Sequence, residues 1–200
     1  MRRGRLVVAA LVLLGAPGEA LPCACCTNQG QRLVEVEALD SGRLEEIERL
    51  RFGTEAQLYV GEAGVEAIAG ILDPTERYTL SVTWDKMQPG KTNIGFALAS
   101  PGGGSGSLSL RLPQKISIFE VDPRDGPDQG TGPALYKEWK LMGEVTGTGA
   151  FSPTNGAKQV LTLILQGRGN SCTSAADFTH WTLVTEGPKG SYSLFGELVR

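Results

Sequence analysis

Histidine is nearly absent: the 200 residues contain one, His180. A single imidazole excludes a metal site built on several histidines and a second histidine shuttle, so any catalytic triad would have to run through His180. Aromatic residues make up only 6% and charged residues 20%, with a formal net charge of −3. With no basic excess to hold a polyanion, nucleic-acid binding is disfavoured. No apolar run approaches the roughly 20 residues of a membrane-spanning helix. No internal repeat points to a propeller or a solenoid. The G-x-S-x-G nucleophile elbow is missing, and Gly102-Gly103-Gly104 lacks the strand-to-helix context of a phosphate-binding loop.

What is abundant is glycine, at 27 residues, close to twice the usual share of about 7%. This favours turns over long helices. A hydrophobic fraction of 40% is enough for one core in a chain of this length. The N-terminus has a distinct pattern: Arg2, Arg3 and Arg5, then the apolar run Leu6 to Leu14, then Gly18-Glu19-Ala20. That order predicts a secretory signal peptide over residues 1–20, an exported protein that is periplasmic or secreted, and a single domain over 21–200. Cleavage removes three arginines and one glutamate, which takes the formal charge from −3 to −5. Cys23 follows Pro22 where a small residue would precede an acylated cysteine, so lipid anchoring is disfavoured.

Three of the four cysteines, Cys23, Cys25 and Cys26, crowd the N-terminal segment 21–32, and Cys172 lies far downstream. In an oxidising compartment an even count reads as disulfides. A Cys25–Cys26 bridge is strained and Cys23–Cys25 closes over one residue, so the favoured pairing is Cys23–Cys26 with Cys25–Cys172. The second bridge closes a loop of more than 100 residues, worth about 5 kcal/mol in the chain-entropy account. The sharper alternative is a zinc or cuprous copper site in which Cys23, Cys25 and Cys26 are joined by Cys172 or His180. Three ligands within four residues crowd one side of an ion, which weighs against it. A redox-active C-x-x-C lacks the βαβ pattern that usually follows that motif.

From residue 55 onward apolar residues alternate with polar or small ones. Tyr78, Leu80, Val82 and Trp84 share one face; Ile94, Phe96 and Leu98, then Leu108, Leu110 and Leu112, repeat the pattern. Further strands are expected over 116–121, 135–142, 143–151, 159–166, 178–185 and 192–199. Asn155-Gly156 and Glu186-Gly187-Pro188-Lys189-Gly190 are turn signals, and 101–106 reads as a hairpin tip. Leu44, Ile47 and Leu50, with Asp40 and Ser41 as caps, predict one short helix near 42–50, with a strand as the alternative. The fold expected is all-β, a two-sheet antiparallel sandwich or jelly roll.

Candidate chemistry is sparse. His180, in phase with Phe178 and Val184, reads as a structural histidine. Ser171 and Cys172 are nucleophile types without an elbow. Asp122, Asp125 and Asp128 supply oxygens for calcium, but Arg124 sits among them and the spacing is not that of an EF-hand. Trp84 and Trp139 fall in core phase, which weakens a sugar-stacking platform; Tyr136, and whichever of Trp181 and His180 points outward, are better surface candidates. The sequence therefore predicts a non-enzymatic exported binding or structural protein of the cell envelope or extracellular space, with no cofactor. The rival is a cysteine-based metal or redox protein, and two-carboxylate hydrolysis comes third.

Overall fold

Period-two alternation carries into the structure, because a strand with one face in a core and one in water sends successive side chains to opposite sides. The computed structural model describes residues 30, 32–61, 68–71, 73, 75–88, 91–122, 135–152, 159–169 and 174–200. They form β1 (Arg32–Ala38), α1 (Ser41–Glu48), β2 (Arg51–Phe52), β3 (Glu55–Val60), β4 (Arg77–Gln88), β5 (Lys91–Ala99), β6 (Ser105–Arg111), β7 (Lys115–Val121), β8 (Leu135–Gly149), β9 (Val160–Gly169), a 3₁₀ turn (Ala175–Asp177), β10 (Phe178–Glu186) and β11 (Tyr192–Val199). The fold is all-β with one short helix. Asp40 caps that helix, its Oδ1 accepting from the Arg43 backbone N–H at 2.8 Å.

The sandwich or jelly roll expected from the sequence is corrected to a closed antiparallel barrel. Eight strands run in the order β3-β4-β5-β6-β8-β9-β10-β11, and β11 pairs back onto β3. Alternation is the same in either architecture, since both have one inward and one outward face. The closing pairs, Leu194↔Leu58 and Leu141↔Leu163 among them, decide between the two.

β8 has 15 residues and serves three neighbours. One edge pairs with β9; the other pairs with β7 over Tyr136–Lys140 and with β6 over Val145–Gly149. The chain leaves β6 and resumes as β7 past Pro113, which has no N–H to give a ladder. β7 and its partner β1 therefore extend the wall beyond the barrel at one end.

The barrel is filled rather than hollow, as eight strands allow. Leu58, Phe96, Trp139, Leu163, Trp181, Leu183 and Leu194 are wholly buried. At the end where Phe52 lies, its ring meets Phe96 at 6.0 Å and Trp181 at 5.8 Å, while Ile47 of α1 joins the core. At the other end Phe151 packs between Tyr78 and Tyr192, at 6.1 and 5.9 Å.

The structural reading of His180 is also corrected. The β9–β10 register shifts between Phe178 and His180, so Phe178 and Trp181 both face the core and His180 is exposed on the outer wall. Trp139 is buried as its phase implies, and Trp84 is partly buried against the core.

Candidate functional site

Side chains of the described residues fill the barrel, which leaves its outer wall as the accessible surface, and that wall is interrupted along β3–β11. The β3–β11 ladder runs from Tyr192↔Val60 to Phe195↔Gln57. There the chain bends at Gly53–Thr54: the Gly53 N–H donates to the Glu197 carbonyl at 2.8 Å, and Thr54 turns its carbonyl to the Leu80 N–H at 2.7 Å. β11 then pairs with β2 instead, through Leu198↔Phe52. A groove of about 600 Å³ opens where the ladder is broken, within the usual size of ligand sites, about 300–1,000 Å³.

Gly196 helps to form its floor. A Cβ on Gly196 would lie 2.8 Å from the Trp181 ring and 2.7 Å from the Glu55 carbonyl, so only glycine lets the indole come this close to β11. The walls carry Glu55, Gln57, Arg77, His180, Phe195 and Glu197. Phe195 is 45% exposed, high for a phenyl ring. His180 stands directly across β10–β11 from Glu197, and its Nδ1 lies 2.9 Å from the Thr179 hydroxyl. The Arg77 Nε–H donates to Gln57 Oε1 at 3.3 Å. An aromatic face ringed by carboxylates, an amide, a guanidinium and an imidazole offers both stacking area and planar hydrogen-bonding groups.

A second cluster is buried at the end of the wall carrying β7. Lys137 lies on the inward phase of β8 and is completely buried. Its ammonium donates to the Ser174 carbonyl and to Asp177 Oδ2, the latter at 3.0 Å, and sits 5.5 Å from the centre of the Phe178 ring. Two glycines on β9 make room: a Cβ on Gly169 would stand 2.0 Å from Asp177 Oδ2, and one on Gly167 would stand 2.2 Å from the Asp177 carbonyl. Glu46 of α1 holds the turn by accepting from the Ala175 N–H at 2.8 Å.

Directly opposite Lys137 on β7 is Glu120, also buried, with no hydrogen-bond partner for Oε2 among the described residues. Burial pushes its carboxyl up to about 7; the Lys137 charge opposes that rise, and Glu35 and Glu37 on β1 add to it.

Of the residues singled out in the sequence, only His180 belongs to the groove. Cys23, Cys25, Cys26, Ser171 and Cys172 lie outside the described residues, as do residues 1–20, expected to be a leader, Asp125, Asp128 and the turn expected at Asn155-Gly156. Among the described residues no group of three histidine, cysteine, aspartate or glutamate side chains could hold a metal, and no helix is long and apolar enough to cross a membrane. Tyr136 lies on the outer wall, donating its hydroxyl to Glu138 and packing its ring against Phe119. Compared with known proteins, the chain matches no family model, no curated protein and no solved structure.

Proposed function

We propose that this chain is an exported, non-enzymatic binding protein of the cell envelope or extracellular space, and that it takes a saccharide in the groove at the broken β3–β11 ladder. The observation that carries this reading is the pairing of a filled barrel with an exposed Phe195 set among Glu55, Gln57, Arg77 and Glu197. A sugar ring has an apolar face that stacks on an aromatic and an equatorial belt of hydroxyls that suits carboxylates, amides and guanidinium. No cofactor is needed for that task. The test is calorimetric titration of the mature protein with soluble oligosaccharides released from the envelope of its native host. Saturable binding that weakens about tenfold in Phe195→Ala, a loss of about 1.4 kcal/mol, supports the reading. Binding untouched by Phe195→Ala, or no binding, contradicts it.

The same reading takes the cysteines as the bridges Cys23–Cys26 and Cys25–Cys172, with bound zinc or cuprous copper as the rival. Support comes from the described residues that flank them. Gly30 donates its N–H to the Asp122 carbonyl at 2.7 Å, and Arg32, Val121, Tyr136 and Arg168 form one row across β1, β7, β8 and β9. Three inter-strand steps of about 4.8 Å separate the ends of that row; Cys25 lies seven residues before Arg32 and Cys172 four after Arg168, and four extended residues span up to about 14 Å. Purified protein without titratable thiol fits the bridges. Four reduced thiols with stoichiometric metal fit the rival.

A further inference from the structure

We propose that Lys137 and Asp177 become joined by an intramolecular isopeptide bond, with Glu120 as the proton carrier.

The geometry supplies each requirement of such a bond. The amine and the carboxylate are held in contact, with 3.0 Å between Nζ and Oδ2, the oxygen bonded to the Cγ that the amine attacks. Two anchors hold them there: the Ser174 carbonyl fixes the ammonium, and the Glu46 carboxylate fixes the turn that carries Asp177. The site also looks built for this approach, because Gly167 and Gly169 stand where any other residue would push Asp177 away from β8.

The surroundings favour the neutral product. Keeping an ion pair out of water costs several kcal/mol per ion, and the amide removes both charges. The Phe178 ring lies over the nitrogen, and Trp139 follows two residues along the same inward face, ring to ring with Phe178 at 5.1 Å. Asp177, 31% exposed at the rim, leaves the departing water an exit.

The step balances without any outside reagent. Glu120 takes a proton from the Lys137 ammonium; the freed amine attacks Cγ of Asp177, and a C–N bond forms. Glu120 returns the proton to an Asp177 oxygen, then takes the second proton from the nitrogen and passes it to the same oxygen, which leaves as water as the C–O bond breaks. One ammonium and one carboxylate become one amide and one water, and Glu120 ends as it began. Cross-strand opposition places the Glu120 and Lys137 Cβ atoms about 4.5–5.5 Å apart, within reach of two long side chains. A carboxyl that titrates near neutrality suits proton transfer in both directions. Among the described residues the charges acting on Glu120 besides Lys137 are Glu35 and Glu37 on β1; Arg43 of α1 pairs with Glu37, Asp177 pairs with Lys137, and buried Asp122 follows Glu120 by two residues.

The full chain, refolded from denaturant and then reduced and denatured again, is followed by intact mass. The mass should fall by one water, and a branched peptide should join the Lys137 and Asp177 segments. That peptide distinguishes the bond from dehydration elsewhere, such as at Asp125-Gly126. Lys137→Arg and Asp177→Asn test the two ends. The first should keep the full mass; the second should lose ammonia instead of water, since the same amide forms from a carboxamide. Glu120→Gln should slow the reaction by about 10²–10⁴-fold, the usual worth of a positioned acid–base, and Glu120→Asp should recover part of it. Circular dichroism matching the parent shows that each variant folds. A folded parent that keeps its full mass after prolonged incubation at neutral pH overturns the proposal, as does a branched peptide through any other pair.

Discussion

Glu120 makes stability depend on pH in an uncommon direction. Its carboxyl ionises near pH 7 in the fold, against an ordinary value of 4.5, so the folded chain holds a proton that the unfolded chain releases. Stability contributed by this group is complete below pH 4.5 and is lost as pH rises towards 7, a change of about 3 kcal/mol across the window. Glu120→Gln keeps the shape and removes the titration. Denaturant midpoints at pH 5 and pH 8 should differ less in the variant than in the parent; the same difference in both would contradict the burial assigned to Glu120. These residues were legible in the sequence by one signal: Lys137 shares a phase with Leu135, Trp139 and Leu141, and Glu120 shares one with Ile116 and Ile118. A charge on the inward phase of a strand must find a partner. Which partner it finds depends on strand pairing, and alternation carries no information about that. Asp177 could not be matched to Lys137 before β8 was known to lie beside β9.

Elements follow the sequence where local chemistry decides and depart from it where a long-range contact does. The helix forms over Ser41–Glu48 because Asp40 caps it and Ile47 finds the core. Asp40→Ala should cost about 1 kcal/mol by urea denaturation, with Asp40→Asn nearly neutral; an unchanged midpoint in the alanine variant would show that the cap contributes nothing. β10 departs through its bulge, where one slipped residue between Phe178 and Trp181 turns His180 outward. Strict alternation from Phe178 puts the wrong residue in the core, and no residue at the bulge announces it. On β9 the glycines are the informative positions. Gly169→Ala drives a methyl into the Asp177 carboxylate and should destabilise by about 1–3 kcal/mol. Tolerance at that position would mean that Asp177 does not sit over β9.

At the scale of the whole molecule, period-two strands and glycine-rich turns gave the all-β class, and closure into a barrel lay beyond them. Pairing of β11 with β3 joins segments far apart in the chain, and a sandwich buries the same side chains. Closure matters to the proposed function because the filled interior leaves the outer wall as the surface on which a ligand would sit. Truncating the interior and the wall should therefore have opposite consequences. Trp139→Ala, from a wholly buried site, should cost about 3–5 kcal/mol. Phe195→Ala should leave stability within about 0.5 kcal/mol while weakening binding. Similar losses of stability in both would argue that Phe195 supports the fold. The most direct test is an amide NMR titration of the mature protein with the envelope oligosaccharides. Shifts should gather on 53–57, 77, 180 and 195–199, around the broken ladder. Shifts centred on the β1–β7 extension or the opposite barrel wall, or none at saturating sugar, would contradict a groove-binding barrel.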